Sequence, residues 1–253
     1  MTLHEAARGF ERAADAYERG RPEYPPEAVA LVVRGLGLRP RVRLLDVGAG
    51  TGKLSRLVGA SGATVFAADP ADAMIRRAAR VPGVVPLRAV AEELPFRDGA
   101  LDAAVAASAF HWFDGPRALR ELHRALRPGG RLALLWNVRD DAEPWVARLS
   151  EIVNRREGRT PRYRRGEWRG AFAAAPGLFD AIDEAHVRHV HALSAAAALD
   201  RVASISFVAA MPEAGRAEIL AEVRALLATH PDTAGRAEVA LPYRTDVHVY
   251  ARR

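Results

Sequence analysis

The sequence predicts an α/β fold: a seven-stranded, mostly parallel sheet with helices on both faces. Three observations predict it. Short apolar runs alternate with amphipathic stretches from residue 41 to 138. Glycine, Pro-Gly and Asp-Pro punctuation falls between them. The chain has 253 residues, enough for one large α/β domain with a buried core.

The elements follow in order. Arg43–Val47 is an apolar run leading into a glycine cluster, and Leu54–Gly59 has helical spacing. Thr64–Ala68 is the next strand, ending at Asp69-Pro70. Ala71–Arg80 is a helix stopped by Pro82-Gly83. Val84–Arg88 and Leu101–Ala107 are the third and fourth strands. Pro116–Leu126 carries Leu119, Leu122 and Leu126 on one helical face. Pro128-Gly129-Gly130 is a turn into a fifth strand, Arg131–Asn137. Beyond it, Glu143–Arg156, Ala195–Ala210 and Glu213–Leu227 are expected helices. Ala185–His191 and Asp246–Ala251 alternate as strands.

Strands alternating with helices imply right-handed crossovers and a parallel sheet. Ligands in such sheets bind beyond the carboxyl ends of the strands. The segments that follow strands are Asp46–Lys53, Asp69-Pro70, Ala89–Glu93, Ser108–Phe113 and Trp136–Arg139. The expected organisation is a single domain, 1–253. It comprises an N-terminal helical lid (1–40), a ligand-binding core (41–140), a helical cap insertion (141–182) and a C-terminal part (183–253).

Composition excludes several function classes. There is no cysteine, so disulfides, thiolate metal sites and cysteine nucleophiles are out. The first residues carry acids and no continuous apolar stretch, so no secretory signal is expected. No run of about 18 apolar residues exists, so no membrane helix is expected. A cytoplasmic enzyme fits. The formal net charge is +6, and Lys53 is the only lysine. Arginine replaces lysine throughout an alanine-rich chain, which reads as compositional bias rather than a nucleic-acid footprint.

The strongest local signal is LLDVGAGTGK, Leu44 to Lys53. Gly48, Gly50 and Gly52 allow a tight turn and close backbone approach to a ligand. A dinucleotide fingerprint is G-x-G-x-x-G; here the spacing is G-x-G-x-G. Asp46 would be a poor neighbour for a pyrophosphate, but it suits a ligand with a cationic amino group. Asp69 ends the second strand, near the position where an acid accepts two hydrogen bonds from a ribose diol. Its other reading is a cap for the helix that follows.

Four segments in this order resemble the class I methyltransferases that use S-adenosylmethionine (SAM). They are LLDVGAGTGKLSRLV, AADPADAMIRRA, AEELPFRDGALDAAVAASAFHWFD and LRELHRALRPGGRLALLWN. The HWFD segment and Y-x-x-x-R-P-x-Y-P at Tyr17–Pro25 resemble the small-molecule branch that includes trans-aconitate methyltransferase-like proteins. The resemblance implies a Rossmann-like sheet with an antiparallel last strand, and SAM as cofactor. It implies that Asp46, Gly48, Ala49 and Gly50 hold the amino-acid end of SAM. Asp69 would bind the ribose, Pro70 and Met74 would flank the adenine, and Ala91 and Glu92 would follow the adenine edge. Ser108 and Ala109 would floor the sulfonium, and Tyr17 and Arg21 would fold over the pocket. One departure is Val90, where many relatives carry an acid.

Methyl transfer is an in-line displacement, for which orientation alone can supply ~7–11 kcal/mol. A carboxylate acceptor needs no base; a phenol, alcohol or amine can. His111 is the candidate base or orienting group, or else a structural histidine. Trp112, Trp136 and Arg139 are candidate acceptor-side residues, although such aromatics also cap cores. Asp114 reads as a helix cap. Arg155–Gly170 is arginine-dense: a solvated face, or a device that recruits an anionic acceptor. His186, His189 and His191 are close in sequence with no evident carboxylate partner, so no metal site is expected. The alternatives are an RNA or protein methyltransferase docking through the arginine-rich cap, and an NAD-dependent oxidoreductase. A small-molecule acceptor without a nucleic-acid or membrane partner is the expectation; oligomeric state is not legible.

Overall fold

The computed structural model describes residues 20–253. A first helix, α1 (Pro26–Leu36), starts at a proline whose missing N–H would be unsatisfied anyway. It ends at Gly37, which takes the left-handed conformation and donates its N–H to the carbonyls of Val33 and Arg34. Then come β1 (Arg43–Val47), α2 (Lys53–Gly59), β2 (Thr64–Asp69), α3 (Asp72–Ala78), β3 (Val84–Arg88) and β4 (Leu101–Ala107). After α4 (Gly115–Ala125) the strand β5 (Leu126–Arg139) begins at once. The rest is α5 (Pro144–Asn154), α6 (Gly170–Ala174), β6 (Phe179–Ser194), α7 (Ala195–Ala203), α8 (Ser206–Ala210), α9 (Glu213–Thr229) and β7 (Glu238–Arg252).

The strands form a seven-stranded sheet in the order β3-β2-β1-β4-β5-β7-β6. It is mostly parallel, with helices flanking it and the last strand antiparallel: a Rossmann-like fold. The order places β1 between β2 and β4. The chain therefore moves outward from β1 to β3 and returns to pair β4 with β1 (Leu45 opposite Ala104). That reversal opens a crevice at the carboxyl ends of β1 and β4. One core cluster joins Ala28, Val32 and Leu36 of α1 to Leu44, Val65, Val105 and Leu135 of the sheet. Each such buried Leu or Val contributes on the order of 1.5–3 kcal/mol.

The described chain forms two compact units. One is Tyr24–Trp136, Pro161–Val187 and Thr245–Arg253; the other is Asn137–Thr160 and Arg188–Arg244 with residues 20–23.

The expected elements are present, with four differences. Pro128-Gly129-Gly130 does not precede β5 but bulges within it. Leu101 pairs with Leu126 and Ala103 with Arg131, so the three residues loop out, with Gly129 at φ +70°. The expected helix Ala195–Ala210 is broken. The Ser204 hydroxyl turns back to the Arg201 carbonyl (2.8 Å), and Ile205 is extended. β6 is longer than Ala185–His191, because its first half is largely exposed and carries no alternating apolar signal. β7 extends upstream of Asp246, through Pro242. Among the described residues, no helix is long and apolar enough to cross a membrane.

Candidate cofactor and acceptor site

The glycine loop is fixed by hydrogen bonds to the end of β2. Gly48 and Ala49 both donate their N–H groups to the Ala68 carbonyl, at 2.8 and 3.0 Å. Gly50 donates to Asp69 Oδ2 at 3.0 Å, while Ala71 donates to Asp69 Oδ1 at 2.9 Å. Asp69 is thus a tether between loop and strand rather than a cap; α3 has no side-chain cap. An ionised carboxylate accepts about four hydrogen bonds, so two acceptor positions remain. Burial pushes the Asp69 carboxyl above its ordinary range, against the two backbone donors.

Gly48 has φ +70°, and a Cβ there would lie 2.5 Å from Ala109 Cβ and 3.2 Å from Phe113 Cζ. Only glycine fits, by conformation and by space. The loop after β4 therefore rests directly on the loop after β1. Ser108 opens it with φ +53°, rare for a residue with a side chain and of order 1 kcal/mol in strain. Its N–H bonds the Leu135 carbonyl at 2.7 Å, and its Oγ lies 3.3 Å from Tyr24 Oη.

Asp46, fully buried at the end of β1, accepts a hydrogen bond from Ser55 Oγ of α2 at 2.6 Å. Burial pushes its pKa up to about 7; the Ser55 bond opposes this and the neighbouring Asp69 adds to it. Asp46 Oδ1 and the buried Thr51 Oγ1 have no hydrogen-bond partner among the described residues. Two unpaired buried polar atoms around one glycine loop are costly unless a ligand completes them.

Met74 and Ala91 are buried, and Pro70 is half-buried. Glu92 is already engaged: its Oε1 accepts the Asp114 N–H at 2.7 Å, while Asp114 caps α4 through the Arg117 N–H at 3.2 Å. Tyr17 lies outside the described residues. Arg21 and Arg139 are members of the second compact unit and the glycine loop is a member of the first.

His111 sits in a 3₁₀ turn, Phe110–Trp112. The indole N–H of Trp136 donates to its Nδ1 at 3.0 Å. An indole nitrogen only donates, and a neutral imidazole has one lone pair. In this arrangement the Nδ1 lone pair of His111 is taken by the indole N–H. Trp112 lies beside it, ring centroids 5.1 Å apart.

Trp136 is a buried hub. It stacks on Tyr163 (4.4 Å between centroids) and lies 4.8 Å from Trp168 and 5.9 Å from His248. Phe172 stacks on Tyr250 at 4.4 Å. Behind these rings, Tyr163 Oη donates to Asp246 Oδ2 at 2.7 Å and lies 3.1 Å from His248 Nε2. His186 Nδ1 is 2.8 Å from Asp246 Oδ1. The expectation that the histidines lack a carboxylate partner is thus wrong for His186; Asp246 supplies it from sixty residues away. Burial pushes His248 below its ordinary range, against the pull of Glu184. Burial also raises the Tyr250 hydroxyl to about 12. Among the described residues, no group of three His, Cys, Asp or Glu side chains could hold a metal ion.

The arginine-rich segment divides. Arg155 pairs with Glu222, and Arg156 with Glu218 at 2.7 Å, both on α9. The Arg169 guanidinium lies 4.5 Å over the Trp168 ring.

Sequence reasoning missed Thr51, Ser55, Tyr24, Tyr163, Trp168 and Asp246. Thr51 stood inside the glycine motif and Tyr24 inside the N-terminal one. Tyr163 and Trp168 were hidden in a stretch read for its charges.

A family model described as a methyltransferase domain matches residues 45–134. An uncharacterized methyltransferase of Mycobacterium tuberculosis is 42% identical over 238 residues, 93% of this chain and 92% of its own length. A demethylmenaquinone methyltransferase of Thermus thermophilus is 46% identical over 101 residues, 37% of this chain and 46% of its own length. Among solved structures, a proposed type II methyltransferase of Anaeromyxobacter dehalogenans superposes with a TM-score of 0.70 at 28% identity, covering 92% of this chain and 97% of that one. With the glycine loop after β1, acids ending β1 and β2 beside it, the parallel sheet reversing at β4, and this near full-length match, the chain belongs to the class I SAM-dependent methyltransferases.

Proposed function

We propose that the protein methylates a small-molecule acceptor that arrives as an anion, a carboxylate above all. The observation that carries this is the Trp136–His111 hydrogen bond. It occupies the lone pair His111 would need to take a proton, so an acceptor already deprotonated suits the site best.

The cofactor assignment rests on the unpaired buried atoms of the glycine loop. Asp46 Oδ1 suits the cationic amino group of SAM, and Thr51 Oγ1 an adjacent polar group. The two remaining acceptor positions of Asp69 suit the ribose diol, with Pro70, Met74 and Ala91 around the base. Ser108 and Ala109 form the floor. Bound SAM supplies a methyl group activated by its sulfonium. The chain's own part is to align the acceptor, exclude water and hold its charge. The buried Trp168 indole N–H, which has no partner among the described residues, is a donor for an acceptor oxygen. The aromatic wall of Trp136, Tyr163 and Trp168 suits an apolar acceptor body. The pairing of Arg155 and Arg156 with glutamates weighs against a nucleic-acid docking surface. A small-molecule enzyme of the cytoplasm remains the fitting context.

Isothermal titration with SAM, S-adenosylhomocysteine and NAD tests the cofactor. SAM and S-adenosylhomocysteine are expected to bind, with about fivefold to tenfold weaker affinity in Thr51→Val, the value of one neutral hydrogen bond. Binding of NAD alone overturns the assignment. Methyl uptake from labelled SAM across carboxylate, phenol and amine panels tests the acceptor. Base-labile methyl esters are expected; product confined to amines refutes the anionic-acceptor reading.

A further inference from the structure

Arg201 of α7 is 9% exposed, and among the described residues its guanidinium is held by one bond: Nε donates to Tyr243 Oη of β7 at 3.0 Å. Among the described residues, the buried Nη1 has no partner and no carboxylate neutralises the charge. Tyr243 is 1% exposed. Its hydroxyl accepts from Arg201, and among the described residues its own hydrogen is given to no acceptor. Two unspent donors, one carrying a permanent positive charge, therefore stand side by side away from water. An uncompensated buried charge is strongly destabilising.

Three further features shape the place. The His189 ring stacks on Tyr243 at 5.7 Å between centroids, and the His191 ring meets it edge-on at 6.5 Å. Gly20 approaches the Asp200–Arg201 backbone so closely that a Cβ there would lie 2.6 Å from the Arg201 nitrogen, and Arg21 is the next residue. With Nε spent on Tyr243, the guanidinium offers its Nη1/Nη2 end, a fork that matches two oxygens of a planar oxyanion.

We propose that Arg201 and Tyr243 form a binding site for a small-molecule carboxylate. One carboxylate cancels the one permanent charge and takes the Arg201 Nη hydrogens and the Tyr243 hydrogen together. A phosphate dianion leaves a net negative charge buried. The site stands on its own donors and does not depend on the cofactor assignment.

Thermal unfolding of the full chain with benzoate, succinate or inorganic phosphate, at constant ionic strength, tests it. Either carboxylate at ten times its Kd is expected to raise Tm by about 4 °C. In Arg201→Met, which keeps the apolar stem, the rise disappears while the ligand-free Tm stays level or increases. In Tyr243→Phe, titration calorimetry is expected to show about fivefold to tenfold weaker binding. The proposal is overturned by no rise with either carboxylate, a rise retained in Arg201→Met, or a rise with phosphate alone. A large loss of ligand-free stability in folded Arg201→Met also overturns it. Where Arg201→Met does not fold, unchanged affinity in Tyr243→Phe is decisive.

Discussion

Replacing Asp46 with asparagine separates what its carboxylate costs the fold from what it gives the ligand. The folded pKa of about 7 stands against an ordinary 3.8. Between these values the folded state holds a proton the unfolded state has lost. Stability therefore falls as pH rises from about 4 to about 7, and it is flat above. At ~1.36 kcal/mol per unit the loss is on the order of 4 kcal/mol. Asparagine keeps an oxygen for the Ser55 hydroxyl but carries no charge. Asp46→Asn is thus expected to exceed the wild type by roughly 1–2 kcal/mol at pH 5 and by roughly 4 kcal/mol at pH 8. Urea unfolding at the two pH values reads the difference. Affinity for SAM moves the other way. Losing a charge-assisted hydrogen bond of ~1.5–3 kcal/mol weakens binding about 10- to 150-fold. A variant equally destabilised at both pH values, or one that binds SAM as tightly as the wild type, refutes the reasoning.

Two further tests probe the same crevice. Gly48→Ala forces a Cβ to 2.5 Å from Ala109 at φ +70°, so a loss of about 1–3 kcal/mol in chemical denaturation is expected, with SAM binding impaired more than tenfold. Wild-type stability in that variant would show that the two loops are not packed as described. Trp136→Phe removes the donor to His111 Nδ1. Nitrogen NMR is expected to show the Nε2–H tautomer in the wild type and a mixture in the variant. An Nδ1–H tautomer in the wild type restores His111 as a candidate base.

Much of the fold was legible because its signals are local. The glycines after Val47 and the acids Asp46 and Asp69 are read from neighbours a few residues away. So are the apolar runs of β1, β2, β4 and β5, because burial on both faces of a parallel strand requires apolar residues in sequence. The edge strand β6 was only half visible, since exposed residues such as Ile182 and Asp183 carry no such requirement. The break at Ser204 was invisible because a serine within an alanine-rich run competes with the helix only through its particular hydrogen bond.

The sequence by itself determined the α/β class, the glycine loop and the acids that flank it. Backbone conformation, chain reversal and the period of burial are dictated within a few residues. Tertiary structure alone decided what those residues do to one another. It made Asp69 a tether rather than a cap and gave His186 its carboxylate. It brought the indole N–H of Trp136, twenty-five residues away, against Nδ1 of His111. It left the buried Arg201 Nη1 without a hydrogen-bond partner among the described residues. Proton positions and unpaired charges depend on which distant side chains arrive within 3 Å, and no local pattern encodes that arrival.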